Sequence, residues 1–302
     1  MKNKLGLVFD STCGLTKKEA EAMGIGFIPL IVIINGREYG SGDDLDQKKL
    51  LSIMKNRDIK ISTSLPGAEK VEAAFDKALE NYERVIYIGM SHKFSGTQNA
   101  VKLMALQNEK YKDKVYVAET EFSSPWMPLY SKEIIKMVEN YKDPAEFEKV
   151  IQKCNDFMIG FLSPGDIWWF YKGGRITKMQ YMIGTLAKIS PILKVAKGEI
   201  DKSQTLKARG VPKAMVKMSG AMKGIIEELR IPNEFIKYIM IDTGNKLLKK
   251  QSIEILCTEL GVKEEDVIFT NLTTEQVAHM GPDSFGLAIY VSLKYIINGG
   301  LR

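Results

Sequence analysis

Short apolar runs and helical stripes alternate along the first half of the chain. Leu5–Phe9 is a continuous apolar run closed by Asp10-Ser11-Thr12, the pattern of a buried strand that ends in a turn. Thr16, followed three residues later by Glu19, makes a capping box for a helix over Lys17–Met23. Ile25–Ile34 is a second apolar run, too rich in β-branched residues for a helix, and it stops at Asn35-Gly36. Leu45–Lys55 and Ala68–Tyr82 read as helices, Arg84–Met90 as a strand and Ser95–Lys110 as a helix opened by Ser-Gly-Thr. Lys114–Ala118 is a further strand, and Ser124–Asn140 and Ala145–Asp156 are helices.

Strands that alternate with helices predict parallel β-α-β crossovers and a sheet covered on both faces. Ligands of such sheets gather at the carboxyl ends of the strands. Here those ends hold Asp10-Ser11-Thr12 and Ser91–Thr97.

The rhythm changes after the middle. Phe157–Leu162 is a strand, Trp168-Trp169-Phe170-Tyr171 leads into Lys172-Gly173-Gly174-Arg175, and a helix lies around Met179–Ile189. A hairpin pairs Ile192–Val195 with Glu199–Leu206 about Lys197-Gly198. The long helix Lys213–Leu229 carries Lys213, Lys217 and Lys223 on one side. Ile236–Ile241, Val267–Thr270 and Phe285–Val291 are strands, with a helix over Leu247–Leu260. The predicted class is α/β in two domains. Residues 1–156 form an N-terminal α/β domain with a mostly parallel sheet, and residues 157–302 a C-terminal α+β domain with a largely antiparallel one.

Composition narrows the function. With 45% hydrophobic and 26% charged residues over 302 positions, the chain can bury sizeable cores and still enclose an apolar ligand. Its formal charge of +6 favours anionic partners without choosing among them. The cations are interleaved with acids, and no basic tract or aromatic-basic ladder marks a nucleic-acid partner. Cys13, Cys154 and Cys257 are scattered and read as reduced thiols. The start, MKNKLGLVFDS, has no signal-like apolar run, and no run nears the ~18–20 residues of a transmembrane span. The expected location is cytoplasmic.

Candidate chemistry is sparse. No GxGxxG after a strand, P-loop, HExxH or GxSxG motif occurs, and with only His92 and His279 no metal site is expected. Ser95 falls at or near a helix N-cap, where backbone N–H groups favour an anion, and Gly96 lets a ligand approach the backbone. A plain cap explains the same residues. Ser62-Thr63-Ser64 before Leu65-Pro66-Gly67 reads as a loop entering a helix, able to cap it or to donate to a carboxylate. Arg175 beside two glycines suits bidentate carboxylate or phosphate recognition, or a surface ion pair. His279-Met280-Gly281-Pro282 sets a histidine on a loop before the last strand, either structural or a hydrogen-bond donor.

Taken in order, these segments resemble the DegV family along nearly the whole chain. Asp10-Ser11-Thr12 resembles its DST signature, Thr63-Ser64-Leu65-Pro66 its TSxP loop and Phe94-Ser95-Gly96-Thr97 its LSGT segment. Lys172-Gly173-Gly174-Arg175-Ile176 is similar to KKGGRI, and Leu186–Leu193 to LxxIKPIL, with Ser190 where Lys is common. Lys207-Ala208-Arg209-Gly210 resembles KVRG, and His279-Met280-Gly281-Pro282 resembles HxGP.

The resemblance implies a non-enzymatic carrier that encloses a long-chain fatty acid between two domains, with no cofactor besides that ligand. Its carboxylate would be bound by Thr63, Ser95 and His279 with Arg175 in the network, and Ser64, Gly96 and Thr97 in support. It also implies a fatty-acid kinase as partner, making acyl phosphate for phospholipid synthesis, with Arg209 in the contacting region. Departures from the pattern are His92, Glu119-Thr120-Glu121, Ser123-Ser124-Pro125-Trp126 and Asp283. Trp126 could reshape a cavity, and Asp283, if turned inward, would oppose an anion. Two other functions compete: an ester hydrolase with Ser95 as nucleophile and His279 as base, and a regulator of the same fold that no longer binds lipid.

Overall fold

The computed structural model describes residues 3–187 and 189–299. Lys188, within the LAKISPIL segment, lies outside the described residues. The chain opens with strand β1 (Asn3–Asp10), helix α1 (Lys17–Ala22), and strands β2 (Gly26–Ile28), β3 (Ile31–Ile34) and β4 (Arg37–Gly40). Helix α2 (Gln47–Ile53), strand β5 (Ile61–Ser64), α3 (Ala68–Leu79), β6 (Tyr82–Ile88), α4 (Thr97–Gln107), β7 (Val115–Val117), α5 (Met127–Met137) and α6 (Pro144–Gln152) follow. The remainder runs β8 (Gly160–Ser163), α7 (Ile167–Lys172), α8 (Lys178–Ala187), β9 (Ser190–Ala196), β10 (Glu199–Ala208) and α9 (Val211–Leu229). It closes with β11 (Ile236–Asp242), α10 (Lys246–Leu260), β12 (Val267–Asn271), α11 (Thr274–Met280), β13 (Phe285–Val291) and α12 (Leu293–Ile297).

The chain divides into two compact units. The first takes the residues up to Asp46, Thr63–Asn155 and the short piece Thr273–Glu275. Its main sheet has the order β2-β1-β6-β7 with every pairing parallel. Residues Leu5 to Asp10 are all buried, as a strand covered on both faces requires. Helix α3 buries Val71, Ala74, Phe75 and Ala78, one stripe at helical spacing, in a core with Val8, Ile28, Val85 and Tyr87. The Thr16–Glu19 capping box forms as the sequence predicts.

The apolar run Ile25–Ile34 is two strands rather than one, because Pro29 cannot donate to a ladder and interrupts it. Asn35 and Gly36, at φ +50° and +84°, then turn β3 tightly into β4. Glu275, in the piece contributed from late in the chain, is buried and accepts a 2.7 Å hydrogen bond from Ser41 Oγ.

The second unit takes residues Gln47–Ser62, Asp156–Leu272 and those from Gln276 onward. Its sheet has the order β10-β9-β8-β13-β11-β12, antiparallel except for the β11–β12 pair. β13 lies between β8 and β11 and is buried over its whole length. The 47–62 excursion is tied into this unit by Gln47 Nε2, which donates to the Leu272 carbonyl at 3.2 Å, and by an Arg57–Asp166 ion pair at 2.6 Å. Helix α8 buries none of its side chains and leaves Met179, Met182, Ile183 and Leu186 exposed. No helix among the described residues is long and apolar enough to cross a membrane.

Candidate functional site

In the first unit the strand ends are locked by one carboxylate. Asp10, at the end of β1, accepts hydrogen bonds from the Thr12 backbone (3.1 Å) and hydroxyl on one oxygen. Its other oxygen accepts Tyr87 OH at 3.0 Å and Met90 N at 2.8 Å, which ties β1 to the end of β6. Burial raises the Asp10 carboxyl above the usual range even though all four donors oppose that shift.

The chain then leaves β6 through a turn in which the Ser91 carbonyl accepts both Phe94 N and Ser95 N. Gly96 is the N-cap of α4, and Ser95 precedes it. Ser95 Oγ accepts Thr97 N at 3.3 Å and lies 2.9 Å from Thr97 Oγ1, so the two hydroxyls share a hydrogen bond at the head of the helix. Buried Gln98 donates to the Ala118 carbonyl at 2.8 Å and pins that helix start to the end of β7. With no acidic residue in its first turn, α4 presents an uncompensated positive dipole end beside Ser95.

The Ser62-Thr63-Ser64 stretch belongs to strand β5 rather than to a loop, and Gly67 caps the next helix. Thr63 is half-buried and Ser64 exposed, its hydroxyl on the Leu65 carbonyl at 3.3 Å. A β-carbon on Gly96 would lie 3.6 Å from the Leu65 side chain. The TSLP and SGT segments therefore pack side by side.

In the second unit the Lys172-Gly173-Gly174-Arg175 segment is the end of a helix. Asp166 starts α7 by accepting Trp168 N at 3.0 Å. The helix ends in a Schellman motif: Arg175 N donates to the Phe170 carbonyl (3.0 Å) and Gly174 N to that of Tyr171 (2.9 Å). Gly174 takes the left-handed conformation this cap needs, at φ +74°. The cap aims Arg175 so that its Nη2 lies 3.5 Å from His279 Nε2.

His279 stands on a helix, not on the loop the sequence suggests; it occupies the last turn of α11. Gly281 follows at φ +81°, and a β-carbon there would lie 2.8 Å from the Trp169 ring. A guanidinium only donates, so the Nε2 that faces it is the unprotonated nitrogen and the neutral ring carries its proton on Nδ1. Burial, reinforced by the Arg175 charge, depresses His279 to about 4. A general base needs a value nearer the working pH and usually a carboxylate to orient it, so this histidine suits hydrogen bonding better than hydrolysis.

The departures from the family pattern also find places. Asp283 is exposed, takes φ +58°, and accepts a 2.8 Å hydrogen bond from Asn245. Trp126 is buried in the first unit, and His92 is exposed. Arg209 is exposed between β10 and α9. The structure thus gathers Ser64, Gly96, Thr97, Thr63 and Ser95 in one unit, and Arg175 with His279 in the other.

A parallel-sheet unit followed by a largely antiparallel one, with polar clusters at strand and helix ends, defines a two-unit α/β protein. A family model described as "Uncharacterised protein, DegV family" matches residues 4–292, and the chain belongs to the DegV family. One DegV domain-containing protein of Clostridium perfringens is 28% identical over 251 residues, covering 81% of this chain and 86% of the relative. A second from that organism is 27% identical over 289 residues, covering 93% and 97%.

Solved structures share the fold. A DegV family protein from Thermus thermophilus, described by its fatty-acid binding, aligns with a TM-score of 0.76 at 22% identity, over 96% of this chain and 100% of that one. A stearic-acid-binding protein from Eubacterium ventriosum gives 0.76 at 18% identity, over 97% and 99%. DegV of Bacillus subtilis, described as a fatty acid binding protein, gives 0.74 at 21%, over 97% and 100%.

Proposed function

We propose that this protein is a carrier that binds one long-chain fatty acid, with its carboxylate met by hydroxyl, guanidinium and imidazole donors. Thr63 and Ser95 supply hydroxyls, supported by Ser64, Gly96, Thr97 and the dipole of α4, while Arg175 and His279 supply the cation and the imidazole. The observation that carries this assignment is the Arg175–His279 pair, set 3.5 Å apart by a dedicated helix cap. Relatives of the same fold are described as binding fatty acid, stearic acid or heptadecanoic acid.

The energetics divide between tail and head. Each methylene removed from water contributes about 0.8 kcal/mol, so an acyl tail supplies most of the affinity. A carboxylate taken from water without partners costs several kcal/mol or more. Two hydroxyls, a guanidinium and an imidazole offset that cost with no reaction catalysed. Fatty acid is thus the ligand in place of any cofactor. The carrier presents it to a fatty-acid kinase, which Arg209 helps to engage.

Purified protein, denatured and extracted, should release one acyl chain per polypeptide by mass spectrometry. Protein that remains empty after incubation with stearate would remove the fatty acid from the account.

A further inference from the structure

Arg175 Nη2 and His279 Nε2 face each other as donor and acceptor, and a carboxylate arriving between them inverts that arrangement. The anion takes the guanidinium N–H groups, since a carboxylate accepts and cannot donate. The imidazole nitrogen that had accepted from Arg175 is then left with its lone pair pointing at carboxylate oxygen, two acceptors in contact. A proton on Nε2 repairs the mismatch, and one taken from solvent also brings positive charge to the carboxylate, which a shift of the ring proton from Nδ1 does not.

We propose that fatty-acid binding takes up one proton from solvent onto His279 Nε2, so that the ligand is held by an imidazolium and the affinity is proton-linked. The step is balanced: Nδ1 keeps its proton, Nε2 gains one, and the carboxylate charge is met by both Arg175 and the new imidazolium. Without a carboxylate the surroundings oppose that protonation, because the half-buried ring lies beside a guanidinium and its value is depressed to about 4. A bound carboxylate offsets the Arg175 charge and accepts a hydrogen bond from the charged ring, both of which raise it.

Charged groups on the adjoining segments have partners of their own. Lys172 lies over the Trp168 ring, 4.6 Å from its centre. Asp166 is paired with Arg57, Asp283 with Asn245, and Glu275, at the start of the same helix, with Ser41. Among charged groups, the Arg175 guanidinium lowers the imidazole's value.

The inference rests on the fatty-acid site above, and the test separates the two. Dodecanoate below its micellar concentration is titrated into delipidated protein by calorimetry, in buffers of different ionisation enthalpy, from about pH 5.5 to about pH 8. Near the acid end the expected uptake approaches one proton per ligand, with affinity rising up to about tenfold for each unit the pH falls. His279→Gln should bind more weakly and without proton uptake. In His92→Gln protein, which retains a single histidine, the ring nitrogens should shift from neutral imidazole to imidazolium when dodecanoate is added. Full binding with no buffer dependence and an unshifted ring overturns the proton linkage alone. Uptake that persists in His279→Gln assigns the proton to another group and overturns it too. No binding at any pH overturns the linkage and the fatty-acid site together.

Discussion

The backbone of Gly173 lies so close to the His279 ring that a β-carbon there would stand 2.5 Å from Nδ1. Its φ of −75° suits any residue, so glycine is needed at this position for space alone. Gly174 beside it is the opposite case: a β-carbon would meet nothing within 4 Å, but φ is +74°. Two adjacent glycines thus serve one purpose by different physics, the first admitting the histidine and the second turning Arg175 toward it.

Gly173→Ala should displace the imidazole and cost about 1–3 kcal/mol, as overpacking does. Fatty-acid retention should fall with it. Gly174→Ala should cost about 1–2 kcal/mol through the left-handed backbone and redirect Arg175. Urea midpoints and bound lipid measured on both variants check this; two variants indistinguishable from wild type would contradict it.

Glu275 gives a pH signature. Burial raises its carboxyl, and the Ser41 hydrogen bond and the Thr273 hydroxyl nearby only partly oppose this. The neutral form therefore supports the fold fully below the unfolded value, about 4.3, and that support is lost as pH rises through the folded one. Glu275→Gln keeps a neutral group of the same shape. Its stability advantage over wild type should grow with rising pH, by about 1.4 kcal/mol for each unit separating the two values. Parallel denaturation profiles across the range would show that Glu275 is ionised in the folded protein.

Thr63→Ala and Ser95→Ala should each lower fatty-acid affinity by about 1–3 kcal/mol, the loss of a hydrogen bond to a charged group. Neither should unfold the protein, since both sites are only partly buried. Titration of delipidated variants tests this. Wild-type affinity in both would remove the hydroxyls from the carboxylate site.

Arg209→Ala should leave lipid binding unchanged while slowing phosphorylation of the bound fatty acid by a kinase. The side chain is exposed at the junction of β10 and α9, so its removal has little to destabilise. Equal turnover by variant and wild type would place the kinase contact elsewhere.

Much of this was legible in the sequence because local rules and tertiary structure agree there. Leu5–Phe9 falls within β1, and Thr16 and Glu19 cap α1 as their spacing demands. Other features depend on contacts that periodicity does not carry. α11 is seven residues long, too short for its stripe to distinguish it from a loop, so His279 looked like a loop residue. The Lys172-Gly173-Gly174-Arg175 segment showed a cation beside flexible glycines, but not that it caps a helix begun by Asp166. The passage of residues 47–62 into the second unit, and of Thr273–Glu275 into the first, left no mark on composition. Ser41 and Glu275, 234 positions apart, are a contact no spacing rule anticipates. The glycines came closest to signalling the site, since Gly173-Gly174 and Gly281 bracket the arginine and histidine that they position.

A structure determined with stearate bound tests the central claim most directly. The carboxylate should lie about 2.6–3.2 Å from the Thr63 and Ser95 hydroxyls and from nitrogens of Arg175 and His279. An acyl chain with its head held by other residues, or a Arg175–His279 pair undisturbed at 3.5 Å beside an occupied tail site, would contradict it.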